Sequence, residues 1–212
     1  MVLIKKGAEA SLYKKTWHDR KVIIKMRHPK QYRIPELDKM IRSHRTIHEP
    51  HIMHKAKEAG VPTPTIFMVD VTDANIIMEF VEGKQVKQVL DTLPKHERLK
   101  LCKYIGKMIG RLHKNGIIHG DLTTSNMILA SNSKIVFIDF GLSERSTELE
   151  PKGVDLHLMK RTFQSTHYKI AKEGFKAVMK GYAESVGQEQ TKQVTKKIRE
   201  IEKRGRYVAD RE

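Results

Sequence analysis

Short runs of β-branched and apolar residues, broken by turn residues, fill the first part of the chain; apolar stripes at helical spacing dominate the rest. Val2 to Ile4, Ser11 to about Trp17, and Val22 to Lys25 predict three strands, the last two joined through His18-Asp19-Arg20. Residues 33–60 predict helix, with Leu37, Met40, Ile41, Ile47, Met53 and Ala56 on roughly one face. Pro50 interrupts this stretch, and an interior proline removes a hydrogen bond at a cost of about 3 kcal/mol. Two helical segments meeting near Glu49, or one helix kinked there, are therefore expected. After the punctuation at Gly60-Val61-Pro62-Thr63-Pro64, Thr65 to Asp70 and Asn75 to Phe80 predict a hairpin about Thr72-Asp73-Ala74.

Further on, Val86 to Leu90 predicts a short turn. Lys95 to Lys114 predicts the clearest helix, with Leu99, Cys102, Ile105, Ile109 and Leu112 on one stripe and Asn115-Gly116 as its C-terminal cap. Met127 to Ala130 and Ile135 to Gly141, joined by Ser131-Asn132-Ser133, predict another hairpin. Three helices should follow: Lys152 to about Ser165, Tyr168 to Ser185, and a polar one from Gln188 to Arg204 with a thin stripe of Val194, Ile198 and Ile201. The order predicts an α+β fold, with a small antiparallel sheet and one helix in an N-lobe (1–80), a hinge (81–83), a mainly helical C-lobe (84–202) and a basic tail (203–212).

A chain of 212 residues builds one core or two small lobes rather than several domains. The net charge of +16 points to a polyanionic partner: nucleotide, nucleic acid or, less readily, anionic lipid. No stretch approaches a membrane span, and Met1 to Lys6 is too short for a signal sequence. Cys102 is the single cysteine, which excludes an internal disulfide or a cysteine zinc site and suits a cytoplasmic setting. His44, His48, His51 and His54 recur at helix-like spacing. With a proline in the register and no carboxylates beside them, they read as a solvated basic face and not a metal site.

The chemistry gathers in IIHGDLTTSN (Ile117 to Asn126) and IVFIDFG (Ile135 to Gly141). Asp121 precedes the first strand of the hairpin, Asn126 closes the loop and Asp139 ends the second strand. Two carboxylates and an amide oxygen are what a magnesium ion and an attacking hydroxyl require. The joint pattern resembles the catalytic and metal-binding loops of the protein-kinase-like fold. Lys25 then stands where such a fold presents its phosphate-contacting lysine, and Glu49 is the candidate carboxylate to pair with it. Met78, Glu79 and Val81 suit an adenine-binding hinge, the backbone of Glu79 and Val81 pairing with the base and Met78 backing the pocket. Gly7-Ala8-Glu9-Ala10 is the candidate phosphate flap. Glu9 is an odd neighbour for phosphates, and is expected either to turn towards Lys25 or a metal or to mark a flap that sits differently. Asp155 reads as a helix N-cap, a support for the catalytic loop, or both. Lys203, Arg204, Arg206, Tyr207 and Arg211 form a candidate RNA or partner contact.

GAEA, VIIK, HGDLTTSN, IDFGLS, KGVDL and the closing RGRYV resemble the small atypical serine/threonine kinase of the KEOPS complex, which makes threonylcarbamoyladenosine on tRNA. The resemblance covers nearly the whole chain. It implies a minimal bilobal kinase-like fold using ATP and Mg²⁺ and working beside the tRNA threonylcarbamoyl-transferase (synthase) subunit, other KEOPS subunits and tRNA. The implied activity is ATP hydrolysis in support of the synthase, with autophosphorylation. The resemblance makes Asp121 the base, Asn126 and Asp139 the metal ligands, and Lys25, steadied by Glu49, the contact to the α- and β-phosphates. Glu49-Pro50 departs from the family's Glu-Ala. His119-Gly120-Asp121 lacks the arginine with which ordinary kinases clamp a phosphorylated activation loop. With so short a segment after Gly141, no such switch is expected. The competing readings are a small-molecule phosphotransferase of the aminoglycoside or choline kinase type, and a basic RNA- or protein-binding scaffold with a vestigial kinase fold.

Overall fold

A computed structural model describes the backbone of residues 1–209 and the side chains through Arg204. Strands β1 (Val2–Lys6), β2 (Ser11–Trp17) and β3 (Arg20–Met26) lead into helix α1 (Pro35–Glu58), and β4 (Ile66–Asp70) and β5 (Asn75–Glu79) complete the N-lobe. They form one antiparallel sheet in the order β1-β2-β3-β5-β4. The β2–β3 hairpin closes through His18 and Asp19 at φ +46° and +58°, the left-handed geometry that matches the twist of the strands.

Helix α1 selects one of the two expected alternatives: it is one helix of 24 residues with Pro50 in its interior, not two segments. The hydrogen bond lost at Pro50 is outweighed by the burial of Ile52, Met53 and Ala56 and by the ion pairs of Glu49. The expected apolar face holds only in the second half of the helix: Met53 and Ala56 are buried, but Leu37, Met40 and Ile47 are exposed, whereas Asp38, Thr46 and Glu49 are buried. The reason lies in the strand opposite. The helix faces Lys25 of β3 and Arg27 just after it, so its buried side carries their polar partners.

The C-lobe starts with β6 (Gly83–Gln85), α2 (Val86–Val89) and α3 (Lys95–Lys114), followed by β7 (Ile117–Ile118), β8 (Met127–Ala130), β9 (Ile135–Phe137) and β10 (Glu144–Arg145). It ends in α4 (Leu149–Ser165), α5 (Ala171–Val186) and α6 (Gln188–Ala209). Strands β6-β8-β9 make a small antiparallel sheet, and β10 pairs with β7. The core runs through Cys102, Ile105, Ile109, Phe140, Phe163 and Tyr182. Helices α3 and α5 pack closely because glycines sit at their crossing: a Cβ on Gly106 would fall onto the Val178 carbonyl, and one on Gly181 onto the Lys103 carbonyl.

Two boundaries move. Helix α4 begins at Leu149, so Asp155 lies inside it and is not its N-cap. Helix α6 runs on to Ala209, through the start of the expected tail. Lys203 is exposed and Arg204 pairs with Glu150; the side chains of Arg206, Tyr207 and Arg211 lie outside the described residues. No helix among the described residues is long and apolar enough to cross a membrane.

Candidate active site

The alternation of β3 carries on one residue past its end, so Lys25 and Arg27, just beyond Met26, both reach Glu49. Lys25 Nζ lies 2.8 Å from Glu49 Oε1 and 2.6 Å from Asp139 Oδ1, which joins the two lobes. Burial works against the Lys25 ammonium, but the charges of Glu49 and Asp139 outweigh it and its pKa is raised. At Asp139 desolvation opposes ionisation, and the Lys25 ammonium overrides it, holding the carboxyl below the usual carboxylate range. Asp139 adopts φ +62°, a conformation that aims its side chain into the cleft instead of along the strand. Arg27 bonds the second oxygen of Glu49 and lies 3.4 Å from Thr46 Oγ1.

The loop carrying Asp121 is fixed from below by Asp155. Buried at 1% exposure, that carboxylate accepts the backbone N–H of His119 at 2.7 Å and of Gly120 at 2.9 Å, and lies 3.3 Å from His113 Nε2. His113 in turn meets the Tyr182 hydroxyl at 3.1 Å. His119 packs on Phe140, ring centroids 4.6 Å apart. Its Nδ1 accepts from the Asp121 N–H, and burial lowers its pKa despite the surrounding carboxylates. From above, Thr124 Oγ1 meets His167 Nε2 at 2.9 Å, and His167 Nδ1 reaches Asp91 at the same distance.

Asn126 donates its amide N–H to the Asp121 carbonyl at 2.9 Å and to Asp121 Oδ2 at 2.7 Å, which leaves its amide oxygen free to ligate. The Ile138 N–H bonds the Asn126 carbonyl at 2.9 Å, setting Asn126 beside the residue preceding Asp139. An amide oxygen and a half-exposed carboxylate fit Mg²⁺, which takes few protein ligands and keeps phosphate oxygens and water for the rest. The cleft continues past Asp139 and Asn126 between Ile23, Met78, Glu79, Val81 and Ile128.

Other expectations need correction. Gly7, Ala8, Glu9 and Ala10 all line the cleft above Lys25, but the Glu9 carboxylate does not pair with Lys25, which leaves the alternative of a flap that sits differently. Glu9 pairs with Arg45 of α1 and lies 3.4 Å from Arg33, while Lys30 bonds the Ala8 carbonyl. The flap is thus tethered to α1. Nor is the histidine run wholly solvated: His48 is half-buried, its Nε2 3.0 Å from the Ser143 carbonyl beyond Asp139, and it stacks on His44. Among the described residues no cluster of three or more His, Cys, Asp or Glu is arranged to hold a metal. Sequence reasoning missed Arg27, Arg45, Thr124 and His167. Arg27 was accessible by extending the period-two pattern of β3 one residue past Met26; the others depended on tertiary contacts.

The RIO domain model matches residues 10–151. The KEOPS complex subunit Bud32 of Pyrococcus abyssi is 51% identical over 213 residues, an alignment covering 98% of this chain and 96% of the relative. The chain belongs to the Bud32 family of RIO-domain proteins. Other members of this similarity group include a longer protein from Methanothermobacter thermautotrophicus, described as a probable bifunctional tRNA threonylcarbamoyladenosine biosynthesis protein. It is 46% identical, and the alignment covers 97% of this chain but 36% of that one. The fold is also that of the Rio2 kinase from Chaetomium thermophilum, solved as an ADP/Mg²⁺-phosphoaspartate complex. That structure superposes with TM-score 0.65 at 17% identity, covering 96% of this chain and 72% of that one. RIO-domain membership supports phosphotransferase chemistry over a non-catalytic fold. Near-complete coverage by a stand-alone Bud32 sets the chain apart from the small-molecule kinases weighed above.

Proposed function

We propose that this protein is an ATP- and Mg²⁺-dependent atypical kinase and ATPase that serves tRNA threonylcarbamoyladenosine formation as a KEOPS subunit. Its partners would be the threonylcarbamoyl-transferase subunit, the other KEOPS subunits and tRNA, in the cytoplasm. The observation that carries this reading is the meeting of Lys25 from the N-lobe with Asp139 from the C-lobe at 2.6 Å, in one cleft with Asp121 and Asn126.

In this reading adenine enters between Ile23, Met78 and the 81–83 hinge and pairs with the backbone of Glu79 and Val81. Lys25 would neutralise the α- and β-phosphates, while Asn126 and Asp139 would hold a magnesium ion, which would supply positive charge against the charge developing on the transferred phosphoryl group. Asp121, kept in register by the Asn126 amide, accepts the proton of the attacking hydroxyl or water. Helix α4 begins soon after Gly141, so little surface remains on which to lay a peptide acceptor. That favours water or the chain itself as acceptor over a broad range of protein substrates. The +16 charge and the basic end of α6 suit a surface presented to RNA.

ATP turnover by the purified chain, with and without tRNA and the synthase subunit, tests the proposal. Mg²⁺-dependent ADP release that is lost in Asp121→Ala supports it. A folded protein that binds no Mg-nucleotide would refute it.

A further inference from the structure

Strand β1 pairs with β2 through a bulge. Val2 and Leu3 stand opposite Lys14 and Tyr13, Ile4 is then passed over, and Lys5 and Lys6 stand opposite Leu12 and Ser11. A slip of one residue turns a side chain to the other face of a sheet. In unbroken register Ile4 would oppose Leu12, and Lys5 would share the side of Ser11. The bulge instead sets Lys5 opposite Leu12, which is in turn the partner of Lys25 on β3. Cross-strand partners point to one face. Lys5, Leu12 and Lys25 therefore form a row across three strands, on the face that looks into the cleft. Lys6 falls on the opposite face.

The cleft has two parts, one beneath the flap and reaching Asp121, the other running from Asn126 to Met78 and Val81. Lys5, Leu12, Lys25 and Asp139 line both. They mark the neck between the parts, where a nucleotide with its base in the second part and its reacting end at Asp121 must pass its phosphates.

The other cations of the cleft are already engaged. Lys25 is shared between Glu49 and Asp139, Arg27 bonds Glu49, and Arg45 bonds Glu9. Among the described residues, Lys5 is the cation lining these two parts that has no carboxylate in ion-pair contact. A magnesium-bound triphosphate keeps a net negative charge, and Asp121 and Asp139 add to it, so a shared Lys25 does not balance the neck by itself. At about 5 Å between neighbouring strands, roughly 10 Å separates the Lys5 and Lys25 backbones, and a phosphate chain between them lies within reach of both side chains.

We propose that Lys5 is a second nucleotide-binding lysine, turned towards the phosphates by the bulge at Ile4 and facing them from β1 across the neck from Lys25. This rests on the nucleotide-site reading above and adds to it a phosphate contact from outside the kinase-like motifs. Lys25 keeps its partner Glu49 in this scheme.

The test is calorimetry of the full chain with a non-hydrolysable Mg-ATP analogue, with melting curves to verify folding. Lys5→Met should weaken binding about tenfold, the scale of one charge-assisted contact. Lys6→Met removes the same charge one residue along, on the other face, and should leave the affinity unchanged. Equal weakening in the two variants would reduce the effect to bulk charge and overturn the inference. Unchanged affinity in Lys5→Met beside normal wild-type binding would overturn it too, and alone; no binding by the wild type would overturn the site reading with it. Should Lys5→Met not fold, lysine acetylation of the wild type read by mass spectrometry decides. Protection of Lys5 but not Lys6 by the analogue supports the inference, and equal labelling of Lys5 with and without it overturns the inference.

Discussion

Lys25 Nζ lies 2.6 Å from Asp139 Oδ1, a pair separated by 114 positions in sequence and drawn from opposite lobes. The contact joins the same two groups that the proposed chemistry needs for phosphate and metal. Asp139→Ala should therefore abolish the Mg²⁺ dependence of nucleotide affinity. Calorimetry with ADP, with and without Mg²⁺, checks this; an affinity still enhanced by the metal would remove Asp139 from the ligand set.

Asp121 is half-buried and held by Asn126 at 2.7 Å. Asp121→Ala should lower ATP turnover by roughly 10²- to 10⁴-fold, the weight of a positioned base, with nucleotide affinity little changed. A loss under about threefold in a folded variant would count against that role.

Asp155 has no seat at the chemistry, yet it satisfies two backbone donors of the catalytic loop. Asp155→Ala leaves the His119 and Gly120 N–H groups without their acceptor, at about 1–3 kcal/mol for each buried group. Urea denaturation should show a loss of about 2–5 kcal/mol. Turnover should fall too, as Asp121 loses its register.

His119 supplies the pH dependence. Its folded pKa is lowered by burial, so from about 6.5 downward the unfolded chain takes up a proton that the folded chain refuses. That contribution to stability is complete above the unfolded pKa and declines as pH falls below it. Denaturation midpoints measured from pH 8 to 5 should drop, and His119→Phe, which keeps the packing on Phe140, should flatten the slope. Equal slopes in both proteins would assign the acid sensitivity to other groups.

Gly106 tests the architecture rather than the site. Its α-carbon faces the Val178 carbonyl across the α3–α5 crossing, so a methyl there must push backbone against backbone. Gly106→Ala should destabilise the protein by about 1–3 kcal/mol despite alanine's better helix propensity. A higher melting temperature would show that the crossing adjusts freely.

The strand and helix order was legible along the chain, as were Lys25, Asp121, Asn126 and Asp139. Where the reading went wrong, a polar group had found a partner far away in sequence. The apolar positions Leu37, Met40 and Ile47 predicted the buried face of α1, but that face carries Thr46 and Glu49, because it looks onto Lys25 and Arg27. Pro50 left open two helical segments or one kinked helix, and the tertiary structure holds one continuous helix, with Ile52, Met53 and Ala56 packed in the core just beyond the proline. Glu9 was unassignable while Arg45, 36 positions away, was not known to lie beside it.

By itself the sequence determined the main strands and helices and the candidate reacting groups, because hydrophobic periodicity and motif spacing are local properties of a chain. Only the tertiary structure decided which charges meet. Whether Glu49 holds one cation or two, and whether Asp155 caps a helix or supports a loop, depends on distances across the cleft and core. The cost of burying an unpaired charge or an unsatisfied N–H selects among such arrangements, and it applies only once the chain has closed around them.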